Sequence, residues 1–232
     1  MLRPLARVLL PLLALGLFAA GAHAQDLFFD YVGYDYEDPD LNTSQFGEVN
    51  SGYVSLGFVP ILFSPLVADT VSNEYTYYLS GLTSISRTVV GDFIIVDYSG
   101  PGILSVYEDD KGTGTAGDYG TNPPNGTAPP SFVDGTLFVQ GSITAFQAVF
   151  NTVSGSGSFE AEYEVTGGSQ LANVPVNDRE GWTFAGITSN EINAPEGYLH
   201  QVDGQVFLGL PTAVETATWG LLKRTFGDGD GR

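Results

Sequence analysis

Carboxylates dominate the chemistry open to this sequence. Among its 232 residues, twenty-seven are Asp or Glu, only eight are Lys or Arg, and none is Cys. The stretch "EDDKGTGTAGDYG" gathers Glu108, Asp109, Asp110 and Asp118 in a Gly-rich setting. Hard oxygen ligands on an irregular loop suit calcium, which takes roughly six to eight of them. Asp109, Asp110 and Asp118 are therefore the first candidate metal ligands, although their order does not follow the alternating pattern of an EF-hand. "YDYEDPDLN", with Asp35, Glu37, Asp38 and Asp40, and "GDGDG", with Asp228 and Asp230, each offer too few ligands alone. A second grouping is "SFEAEYEV", where Glu160, Glu162 and Glu164 alternate with Phe159, Ala161, Tyr163 and Val165. Carboxylates two residues apart on a strand sit about 7 Å apart, a spacing that could flank a glycosidic bond. Histidine offers little, because His23 falls in the leader and His200 stands alone. No His-based metal cluster can form, and no G-x-S-x-G elbow accompanies His200.

These groups need a scaffold, and the sequence predicts an all-β one. "EYTYYLSGL" (74–82), "DFIIVDYSG" (92–100), "GILSVYED" (102–109), "GTLFVQGSITAFQAVF" (135–150), "GWTFAGIT" (181–188) and "GYLHQVDGQVFLGL" (197–210) join the glutamate segment as β-branched and aromatic runs broken by turn residues. Strands at this spacing point to an antiparallel β-sandwich or jelly-roll-like domain. Residues 30–48 read as less regular, and "VPILFSPLV" (59–67), interrupted twice by proline, is placed on a sheet edge or under a loop.

The ends divide the chain into three parts. Residues 1–24 put Arg3 and Arg7 before an apolar run and Ala22-His23-Ala24, the order of a secretory signal peptide. Residues 25–210 form the β domain. Residues 211–232 predict one short amphipathic helix, capped by Thr212 with Glu215 and ended at Gly227, then a polar tail. The product is expected to be secreted, to the periplasm or beyond.

Composition narrows the partners. The formal charge is −19, and the leader removes only basic residues. Nucleic acid needs a basic stripe and is disfavoured, as is an anionic membrane surface. No segment after the leader is long or apolar enough for a membrane-spanning helix. Without cysteine, disulfides, thiolate metal sites and a cysteine nucleophile are excluded. No cofactor is expected beyond calcium, and the partner expected is a polysaccharide or another envelope component.

Two resemblances bear on function. "EAEYE" resembles the catalytic strand of laminarinase-like retaining glycoside hydrolases, but Glu162 stands where those enzymes have Asp and Glu164 comes one residue early. This implies a carbohydrate-active alternative using Glu160, Glu162 or Glu164, with Trp182 and Trp219 as sugar-stacking residues. "DYGTNPPNGTAPPSFVDGTLFVQGSI" with "SGSGSFEAEYEVTGGS" is similar to exported bacterial β-proteins that often carry PEP-CTERM sorting tails, through Phe132, Asp134, Gly135, Leu137, Gly155, Gly157, Phe159, Gly167 and Gly168. That resemblance implies an envelope or extracellular-matrix setting and no activity. The tail "PTAVETATWGLLKRTF" lacks the apolar span of a PEP-CTERM end. The leading expectation is a non-enzymatic exported protein with a structural, adhesive or binding role.

Overall fold

A computed structural model of the chain describes residues 26–37, 46–112, 128–190 and 197–208. The leader, Asp118 and the helix expected within 211–232 lie outside the described residues. The all-β expectation holds, whereas the sandwich or jelly roll gives way to a closed antiparallel barrel.

Nine strands build it: β1 (Asp26–Glu37), β2 (Gly52–Leu62), β3 (Asn73–Val90), β4 (Phe93–Ser99), β5 (Gly102–Asp110), β6 (Thr136–Asn151), β7 (Ser156–Gly167), β8 (Trp182–Ser189) and β9 (His200–Leu208). β4 and β5 lie end to end. Both pair with β3 on one side and β6 on the other, so together they form one of eight staves. Pro101, which has no N–H to give a ladder, stands at the break between them. The remaining strands follow in sequence order, and β9 returns to β1 to close the wall. That last pairing separates a barrel from a sandwich. Alternation along each strand reads the same in both, because in both one face is buried.

Interlocked aromatic rings fill the barrel. Tyr31 stacks on Phe184 at 4.8 Å, Phe146 stacks on Phe159 at 5.6 Å, and Tyr53 packs on Phe146 at 5.0 Å. Such pairs add about 0.5–1.5 kcal/mol each beyond the area they bury. Space for them comes from paired glycines. Gly33 faces Gly57 beside Tyr77, and Gly186 faces Gly204, where a Cβ on Gly204 would strike the Tyr31 hydroxyl.

The outer wall is polar along β7 and β9, where Glu160, Glu162, Glu164, Asp203 and Gln205 are exposed. These two strands therefore lack the apolar outer face of a lipid-facing strand. Among the described residues no helix is long and apolar enough to cross a membrane.

A second apolar cluster lies outside the barrel on β1 to β3. Tyr36, Leu56 and Phe132 are buried there with Val54, Phe58, Tyr78 and Tyr198 packed against them. Thr76 Oγ1 donates to the Phe132 carbonyl at 3.0 Å, and the Phe58 and Phe132 rings meet edge to face at 5.4 Å. The end of the long stretch after β5 is thus docked on the outer wall. Val59 to Leu62 lie on β2 beyond its last partner on β3, so Pro60 needs no donor on that side.

Candidate functional site

The glutamates of β7 line an open groove of about 790 Å³ on the outer wall. Inward residues Phe159, Ala161, Tyr163 and Val165 belong to the core, which forces Glu160, Glu162 and Glu164 outward. The groove arises from a bulge in β6. Thr144 faces Glu162 and Gln147 faces Glu160, so β6 spends one extra residue between these pairs. Ala145 takes up the slack at φ 53°, and Phe146 turns inward onto Phe159. Only a methyl group is left on the wall at Ala145, with Glu180 and Thr183 lining the far side.

Polar contacts organise one rim. Thr144 Oγ1 donates to Glu162 Oε2 at 3.4 Å. Gln147 Nε2 donates to Asp97 Oδ1 at 2.7 Å, and Ser86 Oγ donates to Asp97 Oδ2 at 2.6 Å. These bonds, the one from Gln147 foremost, hold the Asp97 carboxyl below its ordinary range. Four carboxylates and three neutral hydrogen-bonding side chains on one surface can take up a cation, an amine or a hydroxyl-rich chain.

The hydrolase alternative requires a sugar platform beside these carboxylates. Trp182 does not supply it, because its ring is buried in the barrel against Phe28 at 4.4 Å and its Nε1 donates to the Asp178 carbonyl at 2.6 Å. Trp219 lies outside the described residues.

Of the expected calcium ligands, Asp109 and Asp110 are adjacent at the end of β5, and Asp118 lies outside the described residues. Asp109 and Asp110 end β5 opposite Glu74 and Asn73. Asp110 Oδ1 accepts from Gly112 N at 2.6 Å, closing the turn. Glu108 Oε1 accepts from Tyr75 Oη at 2.6 Å and Asn73 Nδ2 at 2.8 Å. No group of three or more His, Cys, Asp or Glu side chains suited to a metal occurs among the described residues.

Sequence reading missed a buried polar pair. Asp35 and His200 are 2% and 3% exposed, with His200 Nδ1 2.9 Å from Asp35 Oδ1. The His200 backbone N–H and the Tyr53 hydroxyl also donate to this carboxylate, at 3.0 and 3.3 Å. Burial first, then the Asp35 charge, raises the Tyr53 hydroxyl well above its ordinary value. Phe46 and Phe150 pack on the imidazole at 5.0 and 4.8 Å. Nearby, Gly47 N donates to Glu37 Oε1 and Arg87 Nε donates to the Phe46 carbonyl, so residues 46–51 plug this end of the barrel. The arrangement is a sealed structural pair. The available signal was the alternation of Val32, Tyr34 and Tyr36 with Gly33, Asp35 and Glu37, which marks 30–37 as strand rather than irregular chain.

The chain matches no protein-family model, and comparison with curated proteins and with solved structures gives no significant match.

Proposed function

We propose that this is an exported, non-enzymatic protein of the cell envelope or extracellular matrix that binds a polysaccharide on its outer wall. The groove over β7 carries the reading. The barrel interior is occupied by aromatic rings, and the groove offers carboxylates beside Thr144, Gln147 and Thr183 in a volume of the size that holds an oligosaccharide segment. Its charge favours amino sugars with free amines over neutral or acidic glycans. The leader-like N-terminus and the resemblance to exported bacterial β-proteins support the setting. Engagement of Asp110 by its own turn and docking of Phe132 on the outer wall support a structural part for the two described ends of the 108–135 stretch.

The test is calorimetric titration with chitosan oligomers and with their fully N-acetylated counterparts. Binding of the free-amine series, weakened by Glu162→Gln, supports the proposal. Release of reducing sugar from either series, abolished by Glu160→Gln, would replace it with the hydrolase reading.

A further inference from the structure

β3 outruns its neighbour. Its first half lies between β2 and β5, but the ladder to β2 stops where Thr83 faces Gly52. Ser84 is then closed by backbone bonds with Asn50 and Ser51. From Ile85 to Val90 the strand is paired with β4 alone, and among the described residues no backbone group takes its other edge.

An open row of N–H and C=O groups is a template for another strand. Native edges are usually blunted by proline, lysine or inward charges, and "ISRTVV" contains neither proline nor lysine. Its one charge, Arg87, is turned to the Phe46 carbonyl. Ile85, Val89 and Val90 are 58%, 57% and 58% exposed, and Phe93, opposite Val90 across the hairpin, extends the apolar surface on the Val90 face.

We propose that this edge pairs with the same edge of a second copy, joining β4 and β3 of one barrel to β3 and β4 of the other in one antiparallel sheet. Charge selects this edge. The protein is strongly acidic, which opposes approach of a second copy over most of its surface, whereas residues 83–90 carry no acid and one cation. Symmetry selects the register. A two-fold axis keeps the faces of the joined sheet continuous only if one residue faces its own copy, because neighbouring residues point to opposite faces. Centring on Arg87 would oppose two cations. Centring on Thr88 sets Thr88 against Thr88, Ser86 against Val90 and Arg87 against Val89, with the Arg87 stem covering the exposed valine.

Sedimentation velocity of the exported protein from about 1 to 300 µM, a range suited to a small edge interface, tests this with three variants at exposed positions. The expected result is a shift from one to two protomer masses for the native chain and a monomer throughout for Thr88→Lys, which opposes two cations across the axis. Val89→Lys weakens the dimer and Val89→Glu tightens it, each by up to about tenfold, because Arg87 of the second copy faces this position twice per dimer. General charge repulsion in an acidic protein predicts the reverse order for the Val89 pair. A native chain monomeric at the highest concentration, a Thr88→Lys dimer of unchanged affinity, or the reverse Val89 order would each overturn the proposal.

Discussion

His200 Nδ1 lies 2.9 Å from Asp35 Oδ1 inside the closed end of the barrel, 165 residues away in sequence. The contact ties the first strand to the last, the pairing that closes the wall. His200→Ala leaves a buried carboxylate with only a backbone N–H and the Tyr53 hydroxyl. Removing one member of a buried pair costs about 3–5 kcal/mol, so thermal melting should fall by roughly 10 °C for a domain of this size. Asp35→Ala in the same background should recover part of that loss, since it removes the stranded charge.

Two single-carbon changes should move stability in opposite directions. Gly204→Ala drives a methyl group into the Tyr31 hydroxyl and the Ala185 carbonyl. Overpacking of this kind costs about 1–3 kcal/mol. Ala145→Gly relieves a left-handed backbone that costs an L-residue about 1–2 kcal/mol, offset in part by the chain entropy of glycine. The denaturant midpoint should fall for the first and rise for the second.

Alkaline pH should unfold the barrel through its tyrosines. Burial, the largest cause, and the bond to Glu108 raise Tyr75 to about 12, and burial raises Tyr31, Tyr53, Tyr98 and Tyr163 as well. An unfolded tyrosine titrates near pH 10. A raised folded value means the native state holds the proton more tightly, so this stabilisation is full below about pH 10 and lost as pH climbs through 12. Tyrosinate absorbance from these buried rings should appear in a late phase coincident with loss of near-ultraviolet dichroism. A single phase near pH 10 with the fold intact would contradict the packing described.

Calcium should leave the melting temperature essentially unchanged. Asp110 is held by its own turn, and Glu108 is held by Tyr75 and Asn73. A rise of several degrees between chelator and millimolar calcium would show that the carboxylates after β5 assemble around the ion.

The strands were legible because their side-chain period is local. "SFEAEYEV" announces which side of β7 is buried, and the groove inherits its glutamates from that alternation. What makes the groove concave was not legible. It depends on one extra residue in β6 at Ala145, visible only once β6 and β7 are in register. Barrel closure was hidden for a related reason, because the pairing of Asp26 to Asp35 with His200 to Leu208 is a relationship between the ends of the domain. Asp35 shows the same limit. Its side chain reads as one more loop carboxylate until the fold places His200 beside it.

The glutamate groove as a binding surface is tested most directly by titrating the native protein and Glu162→Gln with chitosan hexamer, N-acetylated hexamer as control. Binding of the free-amine hexamer alone, weakened at least several-fold by the substitution and by added salt, is the predicted result. Equal affinity for both hexamers, or none for either, would contradict it.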